Sequence, residues 1–141
     1  MVVQSYRDLV AWRKSMLLVR AIYETSHSWP REELHGLTSQ ARRAAVSVPA
    51  NIAEGQGRTG TREFTHHLSI AKGSLHELET LILIAHDLDY IDATACNALL
   101  AQATEVARLI GGLLRRLRTL NGKAPSHDSR LATHDSPGGT S

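Results

Sequence analysis

The chain has 141 residues, a length at which one domain is the rule and a substantial core can be buried. Hydrophobic residues make up 42% of it but aromatics only 4%, so alanine and aliphatic side chains must build that core. The formal charge is +2 with a pI near 9.0, and a single cysteine, Cys96, excludes an internal disulfide and a cysteine-based zinc site. Among its apolar neighbours Cys96 reads as a small core residue. No apolar run approaches the ~18 residues of a membrane span. Met1-Val2-Val3-Gln4-Ser5 has neither the basic start nor the apolar stretch of a secretory signal, so a cytoplasmic protein is expected.

Ser5-Tyr6-Arg7-Asp8 has the S-x-x-D form of a capping box and predicts the opening of a first helix over 5–27. Leu9, Trp12, Met16, Val19 and Tyr23 recur at steps of three and four and predict its apolar stripe. Trp29-Pro30 closes this region, because the residue before a proline is held out of helical geometry. A second helix over 37–56 follows from Leu37, Ala41, Ala44, Val48 and Ile52. Pro49 inside it removes a hydrogen bond and crowds the preceding turn, which predicts a kink near Ala45. Gly55 and Gly57 are expected to end it in left-handed geometry.

Thr59 or Thr61 can cap a third helix over 60–88, where Phe64, Leu68, Ala71, Leu75, Leu78, Ile82 and Ala85 form a heptad seam. Gly73 within it costs about 1 kcal/mol against alanine, and close approach of a neighbouring helix is the expected compensation. After a turn at Asp87–Asp92, a fourth helix over 92–121 carries Cys96, Leu99, Ala103, Val106, Ile110, Leu113, Leu117 and Leu120. The prediction is all-α: an antiparallel up-down-up-down four-helix bundle over 1–121. Residues 122–141 are polar, with Pro125, Pro137, Gly138 and Gly139, and are expected to form a disordered tail.

Three motifs have the outline of chemical sites. Gly55-Gln56-Gly57-Arg58-Thr59-Gly60 matches G-x-G-x-x-G, but a dinucleotide fingerprint needs a strand before it and an acidic residue ending a second strand. Here a helical stripe with Pro49 precedes it, Glu77 and Glu79 fall mid-helix, and two glycines ending a helix explain the match more simply. Glu24-Thr25-Ser26-His27 and Glu63-Phe64-Thr65-His66 are both E-x-x-H and, with Glu54 and Glu105, supply the residue types of a bundle di-iron site. One pair ends helix one and the other begins helix three, which runs parallel to it. They therefore lie ~25–30 Å apart at 1.5 Å rise per residue, and one metal centre cannot use both. Solvated or locally bonded side chains are expected there and at His67 and His76. No metal, cofactor or catalytic residue is assigned. Ala41-Arg42-Arg43-Ala44-Ala45-Val46-Ser47-Val48, followed by Pro49 to Ile52, has the outline of a DNA-binding helix-turn-helix. Ala45 stands where that turn often has glycine, and the second helix would end after very few residues at Gly55.

A family resemblance emerges from residues in sequence order. They are Leu9-Val10-Ala11-Trp12-Arg13-Lys14, Tyr23, Trp29-Pro30, Glu33 to Gln40, the stretch from Ala41 to Arg58, Glu63-Phe64, Leu68, Ile70 to Leu75 and Glu77-Leu78-Glu79-Thr80. Over about Tyr6 to Ile91 the chain resembles the small bacterial four-helix bundle proteins first noticed as reading frames in intervening sequences of large-subunit ribosomal RNA genes. The accessory variability determinant protein of diversity-generating retroelements is a relative of these. The sequence departs from the pattern at His35, where an aromatic is usual, at Gln56, where phenylalanine is common, and at His67, where an apolar or aromatic residue is expected. The resemblance implies a ring-shaped homopentamer with a basic surface and no enzymatic activity. For the retroelement relative it implies a reverse transcriptase and its RNA as partners.

The candidate basic surface comprises Arg13, Lys14 and Arg20 of helix one, Arg42 and Arg43 of helix two, and Arg58 and Arg62 beside the turn. Arg108, Arg115, Arg116, Arg118 and Lys123 complete it near the end of helix four. The last group also complements the negative end of the helix dipole, and Arg43 has Glu54 or Glu77 as an alternative ion-pair partner. Five copies of a modest patch in a ring would create a strong field. Phosphate-led binding of structured RNA or an RNA–DNA hybrid is therefore expected. The alternatives are a scaffold whose arginines serve subunit ion pairs and a helix-turn-helix regulator bound to DNA as a dimer.

Overall fold

Residues 5–58 and 60–122 are described by the computed structural model of the protein. Four helices run Val10–Ser26 (α1), Leu37–Gln56 (α2), Thr61–Asp87 (α3) and Ala93–Gly122 (α4), with 3₁₀ turns at Tyr6–Asp8 and Arg31–Glu33. No strand occurs among the described residues. Each helix packs on its neighbours in the chain and α1 closes the circuit against α4, leaving α1 and α3, and α2 and α4, on the diagonals. This is the predicted up-down-up-down bundle. The expected disordered tail, apart from Gly122 at the end of α4, lies outside the described residues.

Three of the four predicted stripes are the observed core. Leu37, Ala41, Ala44, Val48 and Ile52 are buried on α2, Leu68 to Ala85 of the heptad on α3, and Cys96 to Leu117 of the last stripe on α4. Each fully buried leucine or isoleucine contributes about 1.5–3 kcal/mol through loss of apolar surface from water. Leu120 departs from its stripe and is 57% exposed. It lies one turn past Leu117, close to the end of α4.

The stripe of α1 is different from the predicted one. Ala11, Ser15, Leu18, Ile22 and Ser26 are buried, while Met16 and Tyr23 are 43% and 44% exposed. Serines carry no apolar signal, yet both hydroxyls are satisfied within the helix: Ser15 Oγ donates to Trp12 O at 2.8 Å and Ser26 Oγ to Tyr23 O at 3.4 Å. The capping box at Ser5 forms, with its side chain accepting from Arg7 N, but it opens the 3₁₀ turn and not the α-helix. Leu9 then takes an extended conformation (ψ 127°), its side chain buried, and α1 begins one residue later.

Glycines also depart from expectation. Gly55 and Gly57 do not adopt left-handed geometry: Gly55 lies inside α2, and Gly57 caps it at φ −78°. A Cβ on Gly55 would stand 2.8 Å from His67 Cβ and 2.9 Å from Phe64 Cδ1, so this is where α3 crosses closely. Gly73 was expected to serve that purpose, but it faces solvent and a Cβ there would meet nothing within 4 Å. The left-handed cap occurs at the end of α3. Asp89 (φ 63°) donates to His86 O at 3.0 Å and Tyr90 N to Ala85 O at 2.8 Å, a Schellman arrangement with aspartate in the position glycine usually takes. Gly60, without a side-chain bond, caps α3, and Thr61 is its first residue. α2 remains helical on both sides of Pro49.

A polar chain joins α2 to α3 at His67. His67 Nδ1 and Asn51 Oδ1 lie 3.1 Å apart, Asn51 Nδ2 donates to Ser47 O at 2.9 Å, and the Ser47 and Ser74 hydroxyls are 2.8 Å apart. His67 is thus locally bonded.

At the opposite end of the bundle, Glu33 ties the two connections together. Its Oε1 accepts from Leu37 N at 3.0 Å, serving the start of α2, and its Oε2 accepts from the Tyr90 hydroxyl at 2.8 Å. Gly36 leaves room for this, since a Cβ there would stand 2.9 Å from Oε1. The Leu37 N–H first, and then Tyr90, hold the Glu33 carboxyl below the usual carboxylate range. Tyr90 is raised by donating to Glu33, then by burial and nearby carboxylate charge. The Glu33 contribution is therefore present above the unfolded carboxylate pKa and is lost as pH falls through the depressed value. The Tyr90 contribution is present below the unfolded phenol pKa and is lost as pH rises through the raised one. In thermal melts, Glu33→Gln is expected to lower the midpoint most near neutrality, with the gap from the wild type closing below about pH 4. A gap independent of pH would show that the carboxylate charge is not what joins the two loops.

Candidate nucleic-acid interface

Topology sorts the charges along the bundle axis. The start of α1, the α2–α3 turn and the end of α4 meet at one end, bringing together Arg7, Arg13, Lys14, Arg58, Arg62, Arg115, Arg116 and Arg118, with Arg108 two turns further in. Among the described residues Asp8, Glu54, Glu63 and Glu105, the last paired with Lys14, oppose them there. The other end carries Glu24, Glu32, Glu33, Asp87, Asp89 and Asp92 against Arg20, Arg31 and Arg42. A protomer of formal charge +2 is thus a strongly polarised rod.

The structure divides the predicted surface. Arg20 lies towards the acidic end and pairs with Glu24 across 3.3 Å. Arg42 lies there too: its Nε donates to Ser26 Oγ at 2.9 Å and its guanidinium sits 4.6 Å from the Tyr23 ring. Tyr23 lies off the buried face of α1, and its ring meets Arg42 there. Arg43 lines the α2–α3 groove with Glu77 but forms no ion pair, and Glu54 pairs with Arg58 instead. Lys14 reaches Glu105 of α4 at 3.8 Å, and an Arg13 Nη1 donates to Arg7 O at 2.8 Å. Arg43, Arg62, Arg108, Arg115, Arg116 and Arg118 meet no carboxylate among the described residues. Exposed ion pairs contribute about 0–1 kcal/mol, so Lys14 and Arg58 can exchange their partners for phosphate. Lys123 lies outside the described residues. Arg7 joins the basic end although its spacing in sequence gives it no special role.

At this end a cavity of about 520 Å³ separates the start of α1 from α4, lined by Asp8, Val10, Arg108, Gly112, Arg115 and Arg116 among others. An apolar groove adjoins it, formed by Phe64, Leu113, Leu117 and Leu120 with Arg116 at the border.

The other motifs resolve differently. Ala41 to Ile52 lies within unbroken α2, so the helix-turn-helix reading is overturned: there is no turn to separate two helices. A helix also precedes the glycine motif, where a dinucleotide fold needs a strand. Glu24 and His27 lie at the end of α1, Glu63 and His66 at the start of α3, hence at opposite ends of the bundle. Among the described residues no three His, Cys, Asp or Glu side chains are grouped to hold a metal ion. No helix there is long and apolar enough to cross a membrane.

Comparison with known proteins extends the resemblance into α4. The sequence model of the 23S rRNA-intervening sequence protein family matches residues 7–112. The chain belongs to that family. A crystal structure of a protein of unknown function from the S23 ribosomal protein family of Bacteroides thetaiotaomicron is similar, with a TM-score of 0.68 and 21% identity over 74% of this chain and 98% of that one. At that identity the likeness speaks for the fold. Among curated proteins none matches the chain. The family match ends at Gly112, so Arg115, Arg116 and Arg118 lie beyond the matched segment.

Proposed function

We propose that the protein is a non-enzymatic, oligomeric accessory protein whose basic end binds the phosphates of structured RNA or an RNA–DNA hybrid. The observation that carries this reading is the separation of charge along the bundle, which leaves Arg62, Arg115, Arg116 and Arg118 at one end without carboxylate partners among the described residues. The family's association with ribosomal RNA by name agrees with it. With two Trp, three Tyr and one Phe in the whole chain, base stacking has few side chains to use, so phosphate contact leads and sequence preference is weak.

Assembly multiplies the effect. The resemblance implies a homopentameric ring, and the exposed Val46 on α2 and Ile70, Leu83 and Ile84 on α3 supply aliphatic surface for packing between subunits. Five basic ends held together give polyvalent phosphate contact that one protomer lacks. A reverse transcriptase is the protein partner that fits the retroelement relative.

Mass in solution, measured by light scattering with and without a structured RNA, tests the proposal. A particle of about 77 kDa, five chains of 15.4 kDa, is expected, gaining mass with RNA and releasing it as salt rises. A pentamer indifferent to RNA would favour a purely structural scaffold. A monomer or dimer would remove the multivalent part of the mechanism.

A further inference from the structure

The cavity between α1 and α4 has features that surface charge alone does not explain. Its volume of about 520 Å³ lies within the range of small-ligand sites. Arg108, Arg115 and Arg116 line it, and none of them meets a carboxylate among the described residues. Gly111 and Gly112 sit in the interior of α4, where glycine disfavours the helix. A Cβ on either would meet only the Arg115 guanidinium, at 3.5 and 3.8 Å, so neither glycine admits a neighbouring helix. They leave a bare strip of helix under that guanidinium, and Gly112 lines the cavity. Across from them α1 begins at Leu9 without a side-chain cap, and the N–H groups of its first turn have no intrahelical acceptor. Among the described residues Asp8 is the one carboxylate lining the cavity, and its Oδ2 accepts from Ser5 N at 3.2 Å. The adjoining groove, Phe64 with Leu113, Leu117 and Leu120, has a volume of about 370 Å³ and shares Leu113 and Arg116 with the cavity.

The geometry points to a site for the terminal phosphomonoester of an RNA strand, with the phosphate against Arg108, Arg115 and Arg116 and the last base over the Phe64–Leu120 groove. A phosphomonoester carries close to two negative charges near neutrality, whereas an internal diester carries one. Three guanidinium groups around one cavity suit the former, each offering a planar fork of donors. A strand end also leaves one face of its last base unstacked, and an apolar groove can cover it. This inference rests on the RNA-binding reading and adds what the cavity recognises.

Binding of one hairpin RNA with unpaired ends, prepared with a 5′-phosphate, a 3′-phosphate or hydroxyls only, tests it at fixed salt. One phosphorylated form should bind about tenfold or more tightly than the hydroxyl form, and which form does so identifies the strand end. The double variant R108Q/R116Q should erase the preference. So should Gly112→Leu, which fills the cavity while keeping every charge and favouring the helix, so that the salt slope stays that of the wild type. Equal affinity for all three RNAs with salt-dependent binding intact would overturn the terminal-phosphate site and leave the basic-end reading standing. A preference that survives both variants would overturn it as well. No binding of any of the three would overturn both.

Discussion

Replacing Gly55 with alanine should destabilise the fold by about 1–3 kcal/mol, against an intrinsic helix preference for alanine of about 1 kcal/mol. The added Cβ would lie 2.8 Å from His67 Cβ and 2.9 Å from Phe64 Cδ1. A Cβ cannot swing aside as the tip of a long side chain does, and Phe64 Cα stands only 3.4 Å away, so α3 itself must shift. Such a shift would also stretch the contact between His67 and Asn51. Gly73→Ala should do the reverse. Nothing lies within 4 Å of its Cβ, so the helix gains about 1 kcal/mol with no steric penalty. Paired thermal or urea melts should move the two variants in opposite directions by several degrees. If both were stabilised, the α2–α3 crossing would not be as close as its geometry states.

Those two glycines show what could be read in the sequence and what could not. Periodicity located α2, α3 and α4 because their core residues are alanines, leucines and isoleucines whose spacing is itself the signal. It was half right on α1: Leu9, Trp12 and Val19 are in or against the core, but the seam also uses Ala11, Ser15 and Ser26 beside Leu18 and Ile22, while Met16 and Tyr23 point outward. A buried serine that returns its hydroxyl to the preceding turn has no pattern to distinguish it from a surface one. Close approach at Gly55 and open space at Gly73 likewise depend on which neighbour a helix face meets, which is a tertiary fact. The arginines were visible individually, but their grouping required topology. Only when α1 begins where α4 ends do Arg13 and Arg115 share an end, while Arg20 and Arg42 are drawn away to Glu24, Tyr23 and Ser26. Gly112 belonged to no motif and gained meaning only from the cavity that it lines.

The triple variant R115Q/R116Q/R118Q should weaken RNA binding about a hundredfold near physiological salt, if each arginine neutralises one phosphate. Each such contact releases a condensed counterion, so the slope of log K against log salt should flatten by about 2–3. The three side chains are exposed, on the last turns of α4, and pair with no carboxylate among the described residues, so their removal breaks no ion pair of the bundle. The three arginines stand before the last turn of α4, which holds no basic residue, so contrary to the sequence expectation they do little to complement its dipole, and a thermal melt of the triple variant should barely move. Arg42→Gln provides the contrast. It should loosen the contacts with Tyr23 and Ser26 and leave the salt slope unchanged, because Arg42 belongs to the opposite half of the bundle. A flattened slope in the triple variant alone would assign binding to the end formed by α1, the α2–α3 turn and α4. An equal change in both would mean that RNA runs along the length of the bundle, and the polarised-rod mechanism would fail. An unchanged slope in both would remove the end of α4 from the interface.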